Sequence, residues 1–115
     1  MATHRIERLE KSIERELQNI LMFEAHDNLL KYVSITKVAV GKDLSYALIW
    51  YTVMGTDEEK KATTKALIQA RGYLRSELAR RLEIRHTPEL RFKYDESLEY
   101  GSHIEEILRD INEKK

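Results

Sequence analysis

The fold of this chain is decided by the stretch from Ala70 to Tyr94, which reads ARGYLRSELARRLEIRHTPELRFKY. It opens with leucines at helical spacing, passes through the single proline, and ends where apolar and charged residues alternate. The helix must end before Pro88, because the residue that precedes a proline is pushed out of the helical region. The alternation of Leu90, Phe92 and Tyr94 with charged residues then predicts a strand with one apolar face.

Positive charge is concentrated in the same stretch. Residues 71–93 contain three carboxylates and seven basic residues, namely Arg71, Arg75, Arg80, Arg81, Arg85, Arg91 and Lys93. Residues 1–70 carry ten charges of each sign, and residues 94–115 carry three basic and seven acidic groups. The formal net charge of zero is therefore a sum of unlike parts. A local cationic surface attracts polyanions, and the phosphate backbones of nucleic acids are abundant polyanions in a cell.

The first part of the chain predicts one helix and two strands. Apolar residues recur at steps of three and four from Ile6 to Leu21, which indicates an amphipathic helix over about Thr3 to Phe23. Strand one is predicted over Tyr32 to Val40, where the alternation changes parity near Thr36; a bulge or a strand partly covered on both faces would explain this change. Strand two is predicted over Ser45 to Met54, and the short turn between the strands favours antiparallel pairing.

A second helix follows, and it meets the third at an interruption. Thr56 and Glu59 have the spacing of a capping box, so helix two should begin at Asp57 and run to about Ala70. Gly72 then breaks the pattern, and since glycine costs about 1 kcal/mol in a helix, a kink or a close backbone approach is expected there. A short C-terminal helix is predicted from Ile104, Ile107, Leu108 and Ile111.

This order of elements predicts the architecture. Three strands make only a small sheet, and the helices must bury their apolar stripes on it. We therefore expect a single α+β domain over residues 1–115, with two layers and with the helices on one face of the three-stranded sheet.

No pattern in the sequence indicates catalysis, a metal or a cofactor. There is no cysteine, no glycine-rich phosphate loop, and no His spaced with carboxylates as in a metal site. The longest apolar run, Tyr46 to Met54, is far shorter than the roughly 20 residues that cross a bilayer. These features predict a soluble cytoplasmic protein that is not an enzyme, requires no cofactor and does not contact membranes.

The outer face of strand two allows two interpretations. Tyr46, Leu48 and Trp50 share this face, and they are either packed against another element or exposed as an aromatic patch. An exposed patch would bind bases or a protein partner. A protein-interaction module that uses this face, including one that forms a homodimer, is therefore the alternative to nucleic-acid binding.

Several segments resemble one known family. Five segments carry the resemblance: YLRSELARRL (73–82), RHTPELRFKYD (85–95), SITKV (34–38), DLSYA (43–47) and SLEYG (97–101). In one colinear order, they are similar to the bacterial ribosome-binding factor A family. The resemblance covers nearly the whole chain.

The resemblance implies a fold and a function. It implies a KH-like domain of the type II order, in which an Ala-x-Gly kink, here Ala70 to Gly72, replaces the Gly-x-x-Gly phosphate clamp. It also implies a monomeric, non-catalytic assembly factor that binds the small (30S) ribosomal subunit, assists late maturation and processing of its 16S ribosomal RNA, and can share its interface with ribosomal proteins.

The two lines of reasoning lead to one set of candidate residues. We expect the basic groups and the kink to form one continuous cationic ridge against ribosomal RNA, made of Arg71, Gly72, Arg75, Arg80, Arg81, Arg85, Arg91 and Lys93. Ala70 and Gly72 form the structural kink in this prediction.

Overall fold

A computed structural model describes residues 2–97, in which helices cover one face of a three-stranded sheet. The elements are helix α1 (Ala2–Asn19), a π-helical turn (Ile20–Glu24), a 3₁₀ turn (Asn28–Tyr32), strands β1 (Val33–Val40) and β2 (Tyr46–Val53), helices α2 (Asp57–Gln69) and α3 (Arg71–Leu82), and strand β3 (Glu89–Tyr94). The predicted α+β class, the two layers and the element order through residue 94 are confirmed. The predicted C-terminal helix lies outside the described residues.

The sheet is mixed, with β2 in its centre. β1 pairs antiparallel with β2, as the sequence predicts, and β3 pairs parallel with β2. The register of β1 shifts between Ile35 and Lys37, which identifies the parity change near Thr36 as a bulge. A parallel neighbour requires a long crossover connection, and helices α2 and α3 provide it between β2 and β3.

The central strand divides the molecule into a buried side and an open side. Ala47, Ile49, Tyr51 and Val53 are buried on the helical side, and the residues between them are half-buried on the other. Ile13 and Leu17 of α1, Leu67 of α2, and Leu74 and Leu78 of α3 complete the core and are fully buried. All three helices therefore pack on the same face of the sheet.

Helix α1 covers the outer edge of β1. The side-chain amide of Gln18 donates to the Val33 carbonyl at 3.0 Å and accepts from the Ile35 amide at 2.9 Å. Glu10 accepts from the Val40 amide at 2.8 Å. These contacts satisfy backbone groups that an unprotected edge strand would offer to other chains.

Two short turns correct the predicted boundaries between α1 and β1. The last turn of helix one widens into the π-helical segment, and strand one begins at Val33 rather than Tyr32. Asp27 accepts a hydrogen bond from the Leu29 amide at 2.9 Å and so caps the 3₁₀ turn, which buries Leu30. Tyr32 is the last residue of this turn and is therefore not part of the strand.

The predicted capping box at the start of α2 and the predicted kink between α2 and α3 are both confirmed. Thr56 accepts from the Glu59 amide and the Glu59 carboxylate accepts from the Thr56 amide, both at 3.2 Å. Ala70 alone separates the two helices, with φ −85° and ψ −1°. Helix three ends at Leu82, well before Pro88, since Glu83 adopts a left-handed conformation with φ 51°. Arg85 consequently lies in the loop before β3 rather than in the helix.

Candidate nucleic-acid interface

The eight predicted contact residues occupy three places in the fold. Arg71, Gly72, Arg75, Arg80 and Arg81 belong to α3, Arg85 lies in the loop that follows, and Arg91 and Lys93 belong to β3. Leu90 faces the core, so strand alternation directs Arg91 and Lys93 to the open face of the sheet, away from the helices. The basic residues thus form two groups, on the helical layer and on the open sheet face, instead of the single ridge that the sequence analysis expected.

The kink opens the start of α3 toward solvent. Ala70 is the N-cap of α3 and offers no side-chain hydrogen bond to the first amides of the helix. Gly72 is exposed, and a Cβ atom added to it would meet nothing within 4 Å. The first amides of a helix have no partners within that helix and favour anions, and Arg71 adds a positive charge beside them.

Arg75 fixes the loop before β3. Its Nε and Nη2 atoms both donate to the carbonyl oxygen of Thr87, at 3.2 and 2.8 Å. A carbonyl acceptor leaves the charge of the guanidinium uncompensated, and the residue is exposed. Arg75 therefore holds the loop and still presents a positive charge on the helical layer.

Arg80 projects from α3 into solvent. Its side chain is 72% exposed, and Nη2 lies 2.5 Å from the Glu77 carboxylate one turn earlier. The hydrogen bond with Glu77 raises the pKa of Arg80, so the residue remains charged throughout the physiological range. A guanidinium this exposed keeps access to other anions, since an ion pair screened by solvent is weak.

Arg81, the next residue, points toward the protein instead. Its Nη1 lies 3.1 Å from Glu16 Oε2 of α1, its Nη2 binds the Glu24 carboxylate, and its Nε lies 3.9 Å from Glu77 Oε2. Hydrogen bonds to Glu24 and then to Glu16 raise its pKa. The side chain is only 22% exposed, so Arg81 joins α3 to α1 and its charge is balanced within the molecule.

The open sheet face contains contacts that the sequence analysis missed. The guanidinium carbon of Arg91 lies 4.5 Å from the centre of the Tyr46 ring, and Nζ of Lys37 lies 5.0 Å from the centre of the Trp50 ring. Lys37 was not among the candidates, because the bulge obscured which face of β1 it occupies. Counting back from the buried Val38 would have placed it opposite the core.

An aromatic pair lies next to the kink. The rings of His26 and Tyr73 are 6.1 Å apart at an angle of 47°, and the Tyr73 hydroxyl donates to the Glu24 carbonyl at 3.4 Å. Both residues are exposed. The sequence analysis missed this pair because residues 26 and 73 lie far apart in the chain.

Residues 2–97 contain neither a group of metal ligands nor a helix that could span a membrane. This part of the chain contains no cluster of three or more His, Cys, Asp or Glu residues arranged to hold a metal ion. Its helices also lack the combination of length and apolar character that a bilayer crossing needs.

Similarity to known proteins covers most of the chain. The family model described as ribosome-binding factor A matches residues 5–108. The ribosome-binding factor A of Desulforamulus reducens is 42% identical over 98% of this chain and 94% of its own length. That of Clostridium novyi is 39% identical over 100% of this chain and 96% of its own length.

Solved structures agree with these relatives. The crystal structure of ribosome-binding factor A from Thermus thermophilus superposes with a TM-score of 0.67 at 26% identity, covering 77% of this chain and 94% of that one. A homology model of the Thermus thermophilus factor, fitted into a cryo-EM map of its complex with the 30S subunit, gives a TM-score of 0.65 at 26% identity, covering 77% and 93% of the two chains. The chain belongs to the ribosome-binding factor A family.

Proposed function

We propose that this protein is an assembly factor that binds the small (30S) ribosomal subunit through its 16S ribosomal RNA and assists late maturation of that RNA. The relatives are named for ribosome binding, and the Thermus thermophilus factor has been placed in a complex with the 30S subunit. In this proposal the protein acts in the cytoplasm as a monomer. It works by occupying its site on the subunit and not by catalysis.

The observation that carries this proposal is the set of exposed arginines on α3 and in the loop that follows. On α3, Arg75 is exposed beside the buried stripe of Leu74 and Leu78 and Arg80 is exposed away from it, and Arg85 follows on the exposed loop. Exposed guanidinium groups bind phosphates in a bidentate geometry that lysine cannot reproduce. In the proposal these groups contact phosphates, and Arg71 with the open backbone at Gly72 approaches the same strand at the kink.

The remaining predicted residues take different parts in the proposal. Arg91 and Lys93 lie on the open sheet face, and the proposed contact between α3 and RNA does not require them. Arg81 was expected to contact RNA directly; its three carboxylate partners favour a supporting part, in which it holds α3 against α1. The arginine variants for a binding test should therefore leave Arg81 unchanged.

The experiment that tests the proposal is co-sedimentation with purified small subunits. The test variant combines Arg80→Glu with Arg85→Glu, because both side chains are exposed and, within residues 2–97, neither forms a hydrogen bond or ion pair with another element. The matched control combines Arg5→Glu with Arg8→Glu on the exposed side of α1, which changes the net charge equally. We expect the test variant to bind at least about 10-fold more weakly and the control to bind like the wild type. Equal binding of the two variants would refute the assignment of the α3 surface.

A further inference from the structure

The open face of the sheet has an apolar stripe between one cation of β1 and two cations of β3. Tyr46, Leu48 and Trp50 follow one another along this face of β2. Trp50 lies opposite Lys37 of β1 and beside Lys93 of β3 in the strand register. The only tryptophan of the chain therefore lies between two lysines on a partly exposed surface.

The cations lie over the rings, which creates layered stacks. Lys37 covers Trp50 at 5.0 Å, and the guanidinium of Arg91 covers Tyr46 at 4.5 Å. The Arg91 side chain remains 53% exposed, so the outer side of its guanidinium is accessible. Unpaired nucleic-acid bases stack on aromatic rings and on guanidinium planes, while nearby cations neutralise the phosphates.

The acidic groups of this region lie at its two ends. Glu89 begins β3 and pairs with Arg91 at 3.4 Å. Asp95, just past the end of β3, accepts hydrogen bonds from Thr36 and Ser97. The middle of the face, around Trp50, is flanked by Lys37 and Lys93, with Asp95 within electrostatic range of Lys37.

We propose that this open sheet face is a second RNA-binding surface, separate from the α3 surface. In this proposal Lys37 moves from the Trp50 ring to an adjoining phosphate, so that single-stranded bases stack on Trp50 and on the Tyr46–Arg91 layer. Lys93 contacts a further phosphate. Because the two surfaces lie on opposite layers of the fold, one molecule can hold two RNA segments together. This inference rests on the proposed function, which requires RNA binding but not a second surface.

The charge of the face favours RNA over a protein partner. The buried centres of protein interfaces are enriched in aromatic residues and arginine but depleted of lysine. Here each stripe residue that could serve as an aromatic anchor has a cation over its ring, and two of the three cations are lysines. A protein partner would have to desolvate those ammonium groups, whereas a phosphate backbone neutralises them.

Trp50 provides a direct probe, because its fluorescence reports only on this face. In the experiment, the protein is added to a fluorescein-labelled single-stranded RNA decamer of mixed sequence, and binding is measured as a rise in fluorescein anisotropy. A parallel titration with the unlabelled decamer follows Trp50 emission. We expect saturable quenching of Trp50, weakened by added salt. The variant Lys37→Glu with Lys93→Glu should require at least about 10-fold more RNA for half-maximal quenching.

Two comparisons separate the surfaces. The Arg80→Glu and Arg85→Glu variant should keep the quenching of Trp50 while it loses affinity for small subunits. The Arg5→Glu and Arg8→Glu control should behave like the wild type in both measurements. Circular dichroism and urea unfolding confirm that each variant is folded before it is compared.

Each remaining outcome has a defined meaning. Two outcomes would overturn the second surface and leave the proposed function intact. In the first, RNA binds in the anisotropy titration without quenching Trp50. In the second, RNA binds the sheet-face variant, Lys37→Glu with Lys93→Glu, as tightly as the wild type. A sheet-face variant that loses affinity for subunits, but not for the decamer, indicates a protein contact and also overturns it. If the wild type binds neither the decamer nor small subunits, the proposed function itself is refuted.

Discussion

Arg81 of α3 and Glu16 of α1 form an ion pair across the helical layer, with Nη1 and Oε2 3.1 Å apart. Both side chains are 22% exposed, so the pair is partly withdrawn from water. The neighbouring Arg80 is 72% exposed. Consecutive residues on a helix point about 100° apart, and this difference gives two adjacent arginines opposite surroundings.

The first prediction concerns this ion pair. Replacing Arg81 by Gln should lower the free energy of unfolding by about 1–3 kcal/mol, between the values for exposed and for fully buried pairs. The loss arises because Glu16, Glu24 and Glu77 then repel one another without their shared cation. Urea unfolding monitored by circular dichroism measures the change.

Arg80→Gln is the matched control, because it removes the same group from the same helix. We expect it to change the free energy of unfolding much less than Arg81→Gln does, because solvent screens the exposed Arg80. Equal destabilisation by the two substitutions would contradict the internal assignment of Arg81.

The second prediction concerns the kink. Gly72 lies in the first turn of α3, and an added Cβ would meet nothing within 4 Å. Gly72→Ala should therefore stabilise the fold, by up to about 1 kcal/mol, through helix propensity and reduced freedom of the unfolded chain. The same methyl group should weaken binding to small subunits, since it occupies the space through which an RNA backbone approaches the amides of α3.

Thermal unfolding and co-sedimentation on one preparation measure both effects. A variant that is more stable but binds less tightly cannot be explained as a misfolded protein. A variant that binds like the wild type would show that the kink does not contact the RNA backbone.

The third prediction concerns pH. Hydrogen bonds from Ser97 and then from Thr36 lower the pKa of Asp95 below its ordinary value. A carboxyl whose pKa is lower in the folded state stabilises the fold fully above its unfolded pKa of about 3.9, and this contribution is lost as the pH falls through the folded pKa. Asp95→Asn should therefore destabilise the protein at pH 6.5 and have a smaller effect at pH 3.

Urea unfolding of both proteins at the two pH values measures this dependence. Thr36→Val, which removes one donor to Asp95, should reduce the pH dependence without abolishing it. If Asp95→Asn destabilised the protein equally at pH 6.5 and pH 3, the ionised carboxylate would not be the stabilising form.

Much of the fold can be predicted from local patterns. The alternation of β2, the capping box at Thr56 and the helix break beside Gly72 each depend on residues within one short segment, and each is found where expected. The end of α3 could not be predicted as well, because the left-handed Glu83 carries none of the glycine or asparagine signals that mark such a stop.

The candidate site was less predictable because it depends on packing. Helical spacing directs Arg80 away from the leucine stripe and places Arg81 beside it, but the carboxylates that bind Arg81 belong to α1 and to the π-helical turn. The separation of Arg91 and Lys93 from the α3 arginines likewise depends on which face of β3 the helices cover. Residue counts predict the charge of the surface, whereas its division into two groups requires the tertiary structure.

The most direct test of the proposed function is the salt dependence of affinity for purified small subunits. If four to six basic groups neutralise phosphates, the logarithm of the association constant should fall with the logarithm of salt concentration at a slope of roughly 3–5. The Arg80→Glu and Arg85→Glu variant should show a smaller slope than the wild type, and the Arg5→Glu and Arg8→Glu control should not. Tight binding by the wild type with a slope near zero would contradict recognition through RNA phosphates.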